Sequence, residues 1–190
     1  LSVAVEEADV RTLQHTIMVI GNIQAVPKRI AAVSSRISGR IVKLNVSEGE
    51  KVSEGQVLFE VESRQLGNPP PRVQLKAPQE GIVLDRHVVL GDAVEPDTHL
   101  MEVLDLSEVD AEGLIFEGQV ASIKLGQKVR VYVESYPKES FNGTVDLISG
   151  DLDLETRTLS IKVRIENANL KLRPNMRATL NIVTEEADSV

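Results

Sequence analysis

Val42, Leu44 and Val46 alternate with Lys43 and Asn45; Val129, Val131 and Val133 alternate with Arg130 and Tyr132; Ile161, Val163 and Ile165 alternate with Lys162 and Arg164. Each stretch carries the two-residue period of a strand with one buried face. The same reading places one or two strands over Val3–Ile20, of which Ile17-Met18-Val19-Ile20 is the most apolar part, and a turn at Gly21-Asn22. Arg29–Ser35 leads into a first group of strands (Val42–Val46, Val57–Val61) and a second (Ile82–Val88, His99–Leu104). Their turns fall at Gly49, Glu54-Gly55, Gly91 and Pro96-Asp97. Further strands are expected around Val109–Ile115 and over Phe141–Ile148, and a last inward row at Ala178, Leu180 and Ile182. Glu117–Ile123 reads as a helical turn or two, stopped by Gly126, and Asn167–Asn169 as a chain reversal. Short strands at regular spacing indicate a small barrel or a sandwich.

The two groups are copies. Placing Gly39 on Gly81 brings Val46 onto Val88, Gly49 onto Gly91, Val52 onto Val94, Leu58 onto Leu100, Glu60 onto Glu102 and Val61 onto Val103 without a gap. Ile41/Val83, Glu50/Asp92 and Phe59/Met101 are conservative matches. Repeats of this length predict a pseudo-symmetric β-module. Between the copies, 62–76 contains Gly67-Asn68-Pro69-Pro70-Pro71, which excludes helix and central strand and predicts a stiff, extended surface connector.

Composition narrows the chemistry. Aromatic residues make up 3% of the 190 residues and Trp is absent, so the core is built from Val, Ile and Leu, which favours strands. The net charge of -8, with no basic cluster, argues against nucleic acid as a partner. With no cysteine there is no disulfide, thiolate nucleophile or Cys-ligated metal. No apolar run is long enough to span a bilayer. The chain begins at Leu1 rather than Met and is read as a processed or truncated piece from which an export signal or lipid anchor could have been removed.

Ile37-Ser38-Gly39-Arg40-Ile41-Val42, Glu48-Gly49-Glu50-Lys51-Val52 and Gly55-Gln56-Val57-Leu58 resemble the first half-motif of the lipoyl-like domain of periplasmic adaptor proteins, also called membrane fusion proteins. Lys76-Ala77-Pro78-Gln79-Glu80-Gly81-Ile82-Val83 resembles the start of the second half-motif. Gly126-Gln127-Lys128-Val129, Tyr136-Pro137, Phe141-Asn142-Gly143 and Thr156-Arg157-Thr158 are similar to the β-barrel domain that follows, and Leu172-Arg173-Pro174-Asn175-Met176 to its closing motif, with Asn175 where Gly is commoner. The series is most similar to the heavy-metal-efflux branch that serves resistance-nodulation-division pumps.

The resemblance implies an all-β chain with at most one short helix. Residues 1–25 would supply N-terminal strands joining the barrel or a membrane-proximal region. Residues 26–104 would form a lipoyl-like, barrel-sandwich hybrid domain built from the repeats 39–61 and 81–103 with the Pro-rich connector 62–76. The β-barrel would span 105–184, followed by a tail at 185–190. It also implies a non-enzymatic periplasmic subunit, inner-membrane associated when full-length, that links an inner-membrane efflux transporter to an outer-membrane channel. The assembly would be a homo-oligomeric ring such as a hexamer, with the barrel facing the transporter and heavy-metal ions as cargo. Two departures stand out. The long α-helical hairpin usual between the lipoyl halves is replaced by Ser63–Gln74, which puts hairpin docking onto the channel in doubt. A complete membrane-proximal domain is not expected within this sequence, with a remnant strand expected near Val3–Val5.

Candidate chemistry is sparse, and no cofactor is expected. Lys76 starts a strand beside Ala77-Pro78 rather than protruding from a hairpin, which favours a structural lysine over the acylated lysine of a lipoyl or biotinyl carrier. His15, His87 and His99 lack the spacing of paired ligands on one strand or helix, so the metal reading, including a metallochaperone, stays open but secondary. Met18, Met101 and Met176 are dispersed and are read as core filling rather than a soft-metal site. Asp151, Asp153 and Glu155 lack the calcium-loop pattern and read as a solvated turn, with Arg157 as a candidate ion-pair partner. No nucleophile elbow or phosphate loop is present. The turns at Ser47–Glu50 and Val89–Asp92 are equivalent in the repeat and are expected at one end of the module. Adaptors of this family tend to turn the second-half loop to the channel, so Val89, Leu90 and Asp92 are the candidate pore-side or subunit-contact residues. Leu90 stands where the first copy has Glu48, and an apolar side chain on a turn tip calls for a contact.

Overall fold

The computed structural model describes residues 13–187. Within them lie β1 (Leu13–Ala25), β2 (Ile30–Ser34), β3 (Gly39–Leu44), β4 (Lys51–Val52), β5 (Val57–Ser63), β6 (Arg72–Lys76) and β7 (Gly81–Leu84). There follow β8 (Ala93–Val94), β9 (His99–Leu104), β10 (Glu108–Phe116), β11 (Lys128–Val133), β12 (Phe141–Ile148), β13 (Thr158–Glu166) and β14 (Arg177–Ala187). Short 3-10 turns occupy Pro27–Arg29 and Glu117–Ser122, so the helical turn expected near Glu117 is a 3-10 turn. The chain is all-β, as its alternation predicts, and it divides into two compact units.

One unit is a closed six-stranded barrel in the order β1-β10-β13-β12-β11-β14. Its interior is the inward row of each strand: Val129, Val131 and Val133 are buried while Lys128, Arg130 and Tyr132 face out, and Ile161, Val163 and Ile165 are buried from β13. Closure pairs every strand on both sides and leaves no free edge. Gly21-Asn22 is not a turn. β1 runs through it, with Gly21 opposite Ala178 and Asn22 opposite Arg177 on β14. A Cβ at Gly21 would lie 2.0 Å from the Glu112 carbonyl oxygen, so the glycine serves a close backbone approach rather than a reversal. On the barrel wall Asp110, its side chain only 3% exposed, is held by Arg164, whose Nε donates at 2.6 Å while a second guanidinium nitrogen reaches Asp146 at 2.9 Å.

The other unit is built from two four-stranded sheets, β2-β9-β7-β4 and β6-β5-β3-β8. The repeat maps one sheet onto the other, strand for strand. It also reaches further back than identity shows, because β2 corresponds to β6: Val33 opposes Met101 as Leu75 opposes Phe59, and Ala31 opposes Val103 as Val73 opposes Val61. Phe59, Met101, Leu58, Leu100, Val61 and Val103 pack one core between the sheets.

Arg72–Lys76 is therefore a strand paired with β5, not part of an extended connector, and the link shrinks to 64–71, closed by the Ser63 amide donating to Pro71 at 2.8 Å. The single alternation of Val73 and Leu75 with polar neighbours was the strand signal there, overshadowed by the three prolines before it. The link contains no helix. The expected inward row Val42, Leu44, Val46 is also corrected: Ile41 is buried, and a bulge between Ile41 and Lys43 shifts the parity before Val46 is buried in turn. The strand expected over Ile82–Val88 ends at Leu84, because Asp85 takes a left-handed φ of 44°. The remnant strand expected near Val3–Val5 lies outside the described residues.

Residues Asn167–Leu172 belong to the sheet unit, not to the barrel. Asn167 is buried and fully engaged there. Its side-chain amide donates to Leu106 at 2.8 Å and Leu172 at 2.9 Å, its oxygen accepts from the Leu172 amide at 3.0 Å, and its own backbone amide donates to Ser107 at 2.8 Å. Arg29 ties the ends of the unit together, with its guanidinium paired to Asp105 and, at 2.9 Å, to Glu108.

Candidate functional site

The two equivalent turns have the same local design. In each, the amide of the fourth residue donates to the carbonyl of the first at 3.2 Å, Glu50 to Ser47 and Asp92 to Val89. In each, the carboxylate of the fourth residue takes the amide of the first, Ser47 to Glu50 at 3.0 Å and Val89 to Asp92 at 2.8 Å. The third residue is glycine with φ of 82° at Gly49 and 95° at Gly91, a backbone region that side chains resist. Each turn is seated on a strand of the other repeat: Gly49 donates to Val83, and Gly91 to Ile41, both at 2.9 Å. The turns thus rest on different sheets, because the chain crosses between sheets after β3 and again after β7.

This geometry separates the three nominated residues. Val89 and Leu90 carry no turn-forming side-chain bond and are 56% and 61% exposed. Asp92 spends its carboxylate on the Val89 amide, so its first role is to close the turn. Arg40 adds a bond to the Gly91 carbonyl at 3.0 Å. The result is a braced tip that presents two aliphatic side chains to solvent where the first copy presents Ser47 and Glu48.

A second apolar surface lies on the outside of the barrel. Met18 and Ile20 on β1 and Leu114 and Phe116 on β10 are each more than half exposed, and the two strands are neighbours in the barrel. The signal was the unbroken run Ile17–Ile20, since a strand cannot turn four consecutive side chains inward. Of the methionines read as core filling, Met101 is fully buried in the place of Phe59, but Met18 is 68% exposed and does not fill a core.

The remaining candidates fall as follows. Lys76 ends β6 in register with Val57 and is not at a hairpin tip. Asp153 accepts from the amides of Thr156 at 3.0 Å and Glu155 at 2.9 Å, and these bonds hold its carboxyl below the usual range. Arg157 lies in the turn before β13 with φ of 54°, and its guanidinium reaches Glu117 at 3.7 Å rather than the acidic turn. His15 lies exposed on β1, whereas His87 and His99 stand side by side in the sheet unit. Among the described residues no helix is long and apolar enough to cross a membrane.

Comparison with known proteins agrees with this architecture. Residues 29–105 match the CzcB-like barrel-sandwich hybrid domain, and residues 109–186 match the CusB-like beta-barrel domain. YhbJ of Bacillus subtilis, described as an efflux system component, is 24% identical over 169 residues, covering 80% of this chain and 74% of its own. The cobalt-zinc-cadmium resistance protein CzcB of Cupriavidus metallidurans is 29% identical over 111 residues, 58% of this chain but only 21% of that protein. The crystal structure of ZneB from Cupriavidus metallidurans superimposes with a TM-score of 0.72 at 20% identity, covering 92% of this chain and 100% of that one. Two braced β-units in this order, each matched by its own domain profile, make the chain a member of the periplasmic adaptor, or membrane fusion protein, family of efflux systems, in its CzcB-like branch, a family of non-enzymatic adaptors.

Proposed function

We propose that this chain is the scaffold of a periplasmic adaptor that joins an inner-membrane efflux transporter to an outer-membrane channel, acting as a homo-oligomeric ring such as a hexamer, with heavy-metal ions as cargo. The observation that carries this reading is the placement of exposed apolar side chains on rigid supports. Val89 and Leu90 project from a turn held by its own carboxylate and by the opposite repeat, and Met18, Ile20, Leu114 and Phe116 share the outside of two neighbouring barrel strands. Surfaces of this kind are retained for contact, since solvent alone would select polar residues there. In this reading the turn tip meets a neighbouring subunit or the pore, and the barrel face meets the transporter. Individual contacts can be weak when ring geometry multiplies them. Heavy-metal cargo is supported by the likeness to the cobalt-zinc-cadmium resistance protein.

The test is photo-crosslinking in cells from position 90 and position 116, with metal tolerance scored in parallel. Adducts with a second copy from position 90 and with an inner-membrane transporter from position 116, together with metal sensitivity on deletion, are the expected result. Unchanged metal tolerance on deletion would overturn the cargo, and absence of both adducts would overturn the assembly.

A further inference from the structure

We infer that His87 and His99 form a two-histidine site for a late first-row divalent cation, Cu2+, Ni2+ or Zn2+, on the surface of the sheet unit. The imidazole centroids are 5.3 Å apart with the planes tilted by 48°. His87 is exposed, and the side chain of His99 is 37% exposed, so both rings are open to solvent.

The backbone imposes the pairing. The His87 amide donates to the Leu100 carbonyl at 2.9 Å, as the Asn45 amide donates to Leu58 at 2.9 Å in the first copy. That bond sets residue 87 beside residue 99 just as it sets Asn45 beside Val57, whose carbonyl accepts from the Asn45 side chain at 3.3 Å. The fold is thus satisfied by Asn and Val at these two places. The second copy has an imidazole at both, and two of the three histidines in the chain are used there.

Neutral imidazole is the ligand type these cations favour, and two rings placed side by side by the bond from the His87 amide to Leu100 on β9 form a chelate. The Glu102 carboxylate lies 3.9 Å from Nε2 of His99, near enough to offset the charge of a bound cation. Arg86, the adjacent cation, is engaged with the Val88 carbonyl at 2.5 Å. Among the described residues no third ligating side chain converges, so water completes the coordination and the bound ion exchanges readily, unlike one in a closed structural site.

The inference does not rest on the adaptor role and is tested apart from it. The chain is titrated with Zn2+, Ni2+ and Cu2+ salts separately, and the three histidine side chains are followed by NMR. The expected result is that His87 and His99 respond together at one equivalent while His15 does not. His87→Asn and His99→Val, the residues the first copy uses, should keep the fold by circular dichroism and each lower the affinity by about tenfold or more, at least the loss that follows removal of an outer-shell partner. Conversely, Asn45→His with Val57→His should create a second equivalent. Equal response of all three histidines, or unchanged affinity in the doubly substituted His87→Asn, His99→Val chain, would overturn the site while leaving the crosslinking test of the adaptor role untouched.

Discussion

The amide of Gly49 donates to the carbonyl of Val83 at 2.9 Å, a bond between two residues of different repeats. Its counterpart runs from Gly91 to Ile41, and Ile41 and Val83 are themselves equivalent positions. Each copy therefore completes the other. Neither half has a finished sheet alone, since β4 pairs with β7 and β8 with β3.

Gly49→Ala and Gly91→Ala should destabilise the chain by similar amounts. No atom lies within 4 Å of an added Cβ at either place, so the cost is the left-handed backbone alone, about 1–2 kcal/mol. Urea unfolding midpoints measure it. A large difference between the two would show that the copies are not mechanically equivalent.

Leu90 and Asp92 should separate by phenotype. Leu90→Glu restores the residue type that the first copy carries and should leave stability unchanged while weakening oligomer formation. Asp92→Ala removes the bond to the Val89 amide and should cost about 0.5–1.5 kcal/mol. Sedimentation and urea unfolding, run on both variants, check the division.

Acid should weaken the sheet unit through Asp105. Burial works against its charge, but hydrogen bonds from the Ser107 amide and hydroxyl and from Arg29 outweigh that and hold its carboxyl below the usual value. The unfolded chain then takes up the proton first. The stabilisation is present above the ordinary aspartate range, about 3.9, and is lost as pH falls through the lower folded value. Asp105→Asn should be less stable than the parent at neutral pH, and the gap should close on acidification. Unfolding midpoints across that range test the sign.

Arg164→Leu should be the costliest of these changes. It leaves the carboxylate of Asp110, 3% exposed, without its charged partner in the barrel wall, a loss of about 3–5 kcal/mol. Thermal and urea unfolding measure it, and Asp110→Asn combined with Arg164→Leu should recover part of the loss.

The alternation at Val129–Val133 and Ile161–Ile165 was enough to identify strands and their inward faces, because a two-residue period is a local property of extended backbone. The repeat was legible for the same local reason: glycine at the left-handed turn positions and aliphatic residues at the buried ones are constrained alike in both copies. What the chain order could not show was partnership. β2 and β6 are equivalent without shared residues, since the pairing needs only Val33 and Leu75 turned inward. Gly21 reads as a turn until Glu112 is seen against it. Likewise, Leu90 was visible as an apolar tip, but not that Asp92 holds that tip rigid, nor that His87 stands beside His99. Such contacts join residues far apart in sequence, and they are decided by how the sheets close, which no local pattern encodes.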